Sequence, residues 1–292
     1  MKIALIAAPY DLGCAGAGMA LGPTQYLNAG ADRSLSERGF EVETEVVERY
    51  GSFEHELGAT SEVNAAIARH VRGATERGDF PLVLGGNCDS AIGVLAGLDP
   101  SRVGVIWFDA HGDFGTPETT PSGYLGSMPL STITGHCHKR IREHAGNEAS
   151  VLEGHVVMIG VRAAEPEQSL RLENSAVRVF GAEGINSTNE KALLETLEEL
   201  RSQVEEIYIH LDIDSLDPEH APGVDFPAGA GLSPEDVEVM LRKIGERFDV
   251  KAAAMTAFNP ERDEDDRTLH AGTRLMAVLA EVGAVREFGD GR

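Results

Sequence analysis

The stretch that most constrains this chain is Val103 to Pro117, VGVIWFDAHGDFGTP. Val103 to Phe108 runs without interruption into Asp109, His111 and Asp113. A short run rich in β-branched and aromatic residues predicts a strand buried on both faces, as in parallel sheets. In extended chain, side chains at i, i+2 and i+4 leave one face. Two carboxylates and an imidazole are therefore expected to project together from the strand's carboxyl end, where open α/β sheets place their ligands. Buried charge is costly unless it is paired or metal-bound. The trio reads as a metal site.

A second strand end repeats the pattern. Glu206 to Asp214, EIYIHLDID, is an apolar run ending in Asp212 and Asp214, with Asp217 just beyond. The same spacing puts Asp212 and Asp214 on one face. Four aspartates and one histidine suit Mn²⁺ or Mg²⁺ better than softer ions, with Zn²⁺ and Fe²⁺ as the other choices. Four negative charges exceed what one divalent ion neutralises, so a pair of ions is expected. Such pairs, about 3.5–4 Å apart, activate water and clamp hydrolytic transition states. Asp also serves at strand ends as a cap or turn former, a reading that weighs most for Asp217.

The rest of the chain supplies a frame for these two ends. Lys2 to Ala8 predicts a first strand, followed by a Gly-rich loop from Gly13 to Gly22 near the site. That loop is not a dinucleotide fingerprint, because Leu21 stands at the third Gly position. Pro23 is expected to open a helix to about Glu37, Phe40 to Val47 to form a strand, and Val63 to Arg77 a helix. Pro81 to Leu84 is a strand running through Gly85-Gly86 into a helix near Ser90, a junction that lets backbone approach a ligand. It brings Asn87, Cys88 and Asp89 beside the central trio, with Asp89 read as a helix cap. His155 to Val161 predicts a strand, followed by a short segment from Ala163 to Gln168. Ala192 to Val204 reads as an amphipathic helix. Ser233 caps a helix to about Phe248, Val250 to Ala257 is the last strand, and Thr268 to Val282 a last helix stopped by Gly283. His136, His138 and His144 lie in a mixed-charge stretch and read as solvated. Strands alternating with helices imply a single α/β domain over residues 1–292, built on a largely parallel sheet.

A formal charge of −23 over 292 residues argues against nucleic acid or anionic membrane as a partner. Cys14, Cys88 and Cys137 are too few and too scattered for a disulfide framework, which fits a reducing cytosol. The start, MKIALIAAPYDLG, suits a buried strand better than a signal peptide, and no stretch is long enough to span a bilayer. The expected location is cytoplasmic.

The segments GGNCDSAIG, WFDAHGDFGTPETTPSG, IGVRAAEP, HLDIDSLDP and FNP occur in an order and spacing that resemble the arginase/agmatinase (ureohydrolase) family of binuclear manganese amidinohydrolases. The resemblance implies a three-layer α/β/α sandwich on an eight-stranded, mostly parallel sheet. It also implies two Mn²⁺ ions, assembly as a homotrimer or hexamer, and hydrolysis of a guanidino-type C–N bond in a small molecule. Carried over by motif, Asp109 and Asp212 would bridge the metals. Asp113 would bind the first metal, while His111 and Asp214 would bind the second. Asp109 and Asp113 count among the catalytic residues. Thr120 and Ser122 would hold a substrate carboxylate, Glu165 an α-amino group, and Asp217 the metal loop.

The departures from the family pattern point to a different substrate. Cys88 stands where the first metal normally has a histidine. Gly126 replaces a proton-shuttling histidine, with Tyr124 and His136 the nearby groups able to stand in. Ala257 replaces a glutamate that faces guanidinium. Gly115 takes an Asn-like position, and Phe226 replaces a small polar residue. A less basic headgroup such as that of N-hydroxyarginine is expected in place of arginine. The alternative is a non-catalytic binding or regulatory protein that retains part of the metal site. A deacetylase on a related fold is disfavoured by the second Asp motif and by the TPxTxxSG loop.

Overall fold

In the computed structural model, which describes residues 1–49, 55–182 and 189–284, strands and helices alternate along almost the whole chain. In chain order they are β1 (Lys2–Ala8), α1 (Gly22–Asn28), α2 (Ala31–Glu37), β2 (Glu41–Val46), α3 (Glu56–Arg77), β3 (Phe80–Gly85), α4 (Ser90–Gly97), β4 (Val103–Phe108) and α5 (Pro129–Ile133). They continue with α6 (Lys139–Ala145), β5 (Val156–Ile159), α7 (Pro166–Glu173), β6 (Arg178–Phe180), α8 (Asn189–Arg201), β7 (Glu206–Asp212), α9 (Pro234–Gly245), β8 (Asp249–Thr256) and α10 (Arg267–Ala284).

The eight strands form one sheet in the order β2-β1-β3-β8-β7-β4-β5-β6, and every described pairing is parallel. Alternation along each strand splits the apolar residues between two cores. Ile106 and Phe108 of β4 face a core completed by Leu35, Leu193, Met240 and Leu275, from α2, α8, α9 and α10. Val105 and Trp107 face the other, completed by Val63, Ile92, Ile133 and Ile141 from α3 to α6. Helices thus cover both faces, giving the expected three layers. The apolar runs need no polar alternation because neither face of the central strands meets water.

The chain builds outward through β1 and β3, then crosses to β4, and β7 and β8 later fill the gap between β3 and β4. That crossing is the topological switch point, and the carboxyl ends of β3, β8, β7 and β4 meet there.

Several elements differ from the sequence reading. The helix expected from Pro23 to Glu37 is two helices, because Gly30 enters the left-handed region at φ +84°. Helix α3 starts at Glu56, seven positions before Val63, through an Ala- and Gly-containing turn whose apolar spacing is weak. The segment from Ala163 to Gln168 leads into α7, which Pro166 opens. Strand β6 is a short, largely exposed edge that no apolar run announces. Helix α10 passes through Gly283, which is there for contact: a Cβ on it would lie 2.4 Å from the Phe80 ring. Among the described residues, no helix is long and apolar enough to cross a membrane.

Candidate metal centre

Strand β4 stops at Phe108, so the trio does not sit on extended chain as the period-two argument expects. The backbone turns instead, and Asp113 takes a left-handed conformation at φ +46°. Hydrogen bonds aim the side chains. Trp107 Nε1 donates to Asp109 Oδ2 at 2.9 Å, and the His111 backbone N–H donates to Asp109 Oδ1 at 2.6 Å. The Trp107 indole is itself held by stacking on His210, with ring centroids 3.7 Å apart.

The second motif departs in the same way. Strand β7 ends at Asp212, whose Oδ1 accepts from the Asp214 backbone N–H at 2.7 Å and caps a single tight turn, Ile213–Ser215. That turn swings Asp214 towards β4, where its Oδ1 accepts from the Ala110 N–H at 3.1 Å and its Oδ2 lies 3.0 Å from His111 Nδ1. The residues converge as expected, but turns bring them together, because an isolated strand end has no ladder to keep it extended.

Cys88 enters from the β3–α4 junction. Gly86 lets this backbone pass against the end of β1 and the Gly-rich loop, since a Cβ there would lie 2.2 Å from the Tyr10 carbonyl oxygen and 3.1 Å from Ala20 Cα. Cys88 Sγ lies 2.8 Å from Asp212 Oδ2 and 3.3 Å from Thr256 Oγ1. Asp89 does not cap α4 with its side chain, as was expected of it. Its Oδ2 accepts from Asn64 Nδ2 at 2.9 Å, and burial pushes its carboxyl up to about 7.

Two overlapping groups result, each with ligand atoms within 4.8 Å of one another: Cys88, Asp109 and Asp212, and Asp109, His111 and Asp214. Asp109 belongs to both, whereas Asp212 belongs only to the first. Asp113 joins neither, but its buried Oδ2 has no hydrogen-bond partner. Asp109, Asp113, Asp212 and Asp214 are only 1%, 6%, 4% and 4% exposed.

Burial, followed by the charge of neighbouring carboxylates, pushes the pKa of Asp109 up and those of Asp113 and Asp212 far up. Burial alone would lower His111, but its bonds to Asp109 and Asp214 override that and raise it to about 11. Burial and the Asp212 carboxylate likewise hold the Cys88 thiol well above its usual range. Among the described residues no lysine or arginine pairs with these four carboxylates. The nearby Arg162 spends its guanidinium on backbone carbonyls, including those of Gly160, Asp214 and Leu216. Concentrated buried carboxylate, one imidazole and an orphaned oxygen fit divalent cations, since His111 is the one cationic side chain among the described residues that pairs with them.

The cluster floors a cavity of about 380 Å³ whose wall and rim include Thr120, Ser122, Glu165, Tyr124, Phe226 and Ala257. The three residues expected to hold substrate therefore stand around it. His136 contacts Glu153, His138 contacts Met128 and His144 contacts Glu62, so none of these histidines reaches the cluster. Asp217 accepts from the Glu219 and Gly231 backbone N–H groups and ties the loop after β7. Sequence reasoning missed Met19, Gln168 and Asp225 as lining residues. Only Asp225, beside the noted Phe226, carried a usable signal: a carboxylate in a Gly/Pro-rich loop.

The model of the arginase family matches residues 1–280. The chain belongs to the arginase family. It is 32% identical to an arginase of Bacillus caldovelox over 290 residues, 95% of this chain and 97% of that one. An arginase of Bacillus subtilis strain 168 is 30% identical over 287 residues, with the same coverage. The solved native structure of the Bacillus caldovelox arginase superposes with a TM-score of 0.86 at 31% identity, covering 95% of this chain and 97% of that one. A proclavaminate amidino hydrolase of Streptomyces clavuligerus shares the fold at 22% identity and TM-score 0.71, covering 97% and 92% of the two chains.

The departures from the arginase-family pattern have structural consequences. A Cβ on Gly126 would lie 2.4 Å from Tyr124 Cζ, so the Tyr124 ring occupies the space of any side chain at 126. A Cβ on Gly115 would lie 2.6 Å from Thr120 Oγ1, so the Thr120 hydroxyl fills that place. Ala257, at φ +67°, presents only a methyl group to the cavity. Phe226, 49% exposed, lies edge-on to His111 and tilted against Tyr124, with centroids 6.2 and 5.6 Å apart.

Proposed function

We propose that this protein is a metal-dependent hydrolase that cleaves a C–N bond in a small guanidine- or amidine-like molecule, with N-hydroxyarginine a better substrate than arginine. The observation that carries the reading is the convergence of Cys88, Asp109, His111, Asp113, Asp212 and Asp214 at the floor of one cavity. In this reading Cys88, Asp109, Asp113 and Asp212 would hold a first Mn²⁺ ion, and Asp109, His111, Asp212 and Asp214 would hold a second. Such an ion pair supplies Lewis acidity and a nucleophile from water near neutral pH.

The chain's own residues bind and orient. Thr120, Ser122 and Glu165 hold the amino-acid end of the substrate at the rim. Asp109 and Asp113 would orient a water at the floor, whose burial keeps bulk solvent away. Ala257 removes the carboxylate that would make a charge-assisted, bidentate pair with guanidinium, which favours a less basic headgroup. The same reading carries homo-oligomeric assembly and a cytoplasmic location.

Elemental analysis tests the metal claim first: about two Mn per chain are expected for a binuclear site, and no bound metal after loading sinks it. A panel of arginine, N-hydroxyarginine, agmatine, guanidinobutyrate and formiminoglutamate then tests the chemistry. The second reading, a non-catalytic member, rests on the Cys88 thiol engaged with Asp212 and on the loss of side chains at 126 and 257. Silence across the panel with metal bound selects it.

A further inference from the structure

Tyr124 is one of the polar side chains of the cavity wall that the chemistry above leaves unused. Its ring is seated over Gly126, where a Cβ would come within 2.4–2.6 Å of Cζ, the hydroxyl oxygen and Cε1. Its hydroxyl is fixed from one side. Asn87 Nδ2 donates to it at 3.1 Å and also to Asp11 Oδ1 at 2.8 Å. Asn87 Oδ1 in turn accepts from the Cys88 backbone N–H at 2.7 Å. The phenol is thereby tied to the loop that carries the Cys88 thiol. The half-exposed Phe226 packs against the ring.

We propose that Tyr124 sets the substrate specificity of this site by donating its phenol hydrogen to an acceptor on the substrate's reacting headgroup. The inference rests on the reading under Proposed function and narrows its substrate class. A phenol oxygen that already accepts from Asn87 meets a ligand chiefly as a donor. A guanidinium offers only N–H donors, so it leaves that hydrogen unmatched. A hydroxyguanidine, a neutral amidine or a formimino group presents a lone pair where the phenol hydrogen can reach it. A site built to hydrogen-bond one polar group discriminates strongly against analogues that lack it. Burial, followed by the nearby charge of Asp11, keeps the phenol protonated and therefore a donor. Its bond with Asn87 pulls the other way but does not reverse the balance.

The test compares wild type with Tyr124→Phe, which keeps the ring and loses only the hydroxyl. With Mn-loaded full-length protein, Tyr124→Phe is expected to lower kcat/KM for N-hydroxyarginine by at least about 10-fold and that for arginine by less than about 3-fold. An equal loss on both substrates, or none on either, overturns the proposal. A calorimetric titration of each compound reads the same contrast without turnover: Tyr124→Phe should weaken N-hydroxyarginine binding and spare arginine. If wild type hydrolyses neither compound, the hydrolase reading fails, and the titration alone decides Tyr124. An unchanged ratio of the two affinities overturns its role. A stability cycle checks the seat of the ring. Gly126→Ala should lower Tm when Tyr124 is present and have little effect beside Tyr124→Ala, whereas additive effects would show that the ring is not seated there.

Discussion

Asp113 lacks a partner for part of its buried carboxylate. Its Oδ2 is buried without a partner, and burial with the neighbouring Asp109 charge drives its pKa far upward. Asp113→Asn removes that carboxylate, and with it a candidate ligand. It is expected to lower bound Mn from about two to about one per chain by elemental analysis, and to cut turnover by at least about 100-fold, the upper range for losing a mere supporting contact. Cys88 presents the opposite case. Its sulfur is well placed, 2.8 Å from Asp212 Oδ2, but thiolate is a soft ligand for Mn²⁺. Cys88→His is expected to raise Mn²⁺ affinity at the first site in a calorimetric titration. Unchanged affinity and stoichiometry would show that Cys88 does not limit that site. At this scale the sequence named residues that the fold does bring to one cavity, because spacing along the chain survives translation into structure. It could not name the contacts. Nothing in GGNCDSAIG announces that Asn87 ties Asp11, Tyr124 and the Cys88 backbone into one unit.

At the scale of elements, the β3–α4 junction and the loop after β7 position the site. A Cβ on Gly86 would lie 2.2 Å from the Tyr10 carbonyl oxygen, and backbone cannot yield as a flexible side chain can. Gly86→Ala is therefore expected to cost about 1–3 kcal/mol in urea unfolding and to weaken Mn²⁺ binding by displacing Cys88. Asp217 holds the loop after β7 through the Glu219 and Gly231 N–H groups, and those bonds depress its pKa. The stabilisation is complete above the ordinary aspartate range and is lost as pH falls through the lowered native value. Asp217→Asn should therefore lose stability near neutral pH and show a shallower decline below about pH 4, read from Tm against pH. The buried strands were legible because each is a short, unbroken apolar run. The break at Gly30 between α1 and α2, the early start of α3 and the exposed edge β6 were not. Each depends on a backbone angle or a packing neighbour that leaves little periodic trace.

At the scale of the molecule, the parallel order β2-β1-β3-β8-β7-β4-β5-β6 gathers candidate ligands from positions 88 to 214 at one crevice. Ions that bind only the folded arrangement stabilise it by mass action, about 2.7 kcal/mol at 100 times Kd. A thermal scan with Mn²⁺ should show a raised Tm that chelator reverses, and no shift would mean that the buried carboxylates are not a cation site. The sequence by itself determined the class of fold, the two acidic strand ends and the family, because local hydrophobic patterning and ligand chemistry are written residue by residue. Only the tertiary structure decided how the acidic residues converge. Both strands stop before their full motif, and turns stabilised by backbone-to-carboxylate hydrogen bonds complete the approach. It also placed the Tyr124 ring over Gly126. That placement depends on which loops the sheet order brings together, a long-range property that spacing along the chain does not encode.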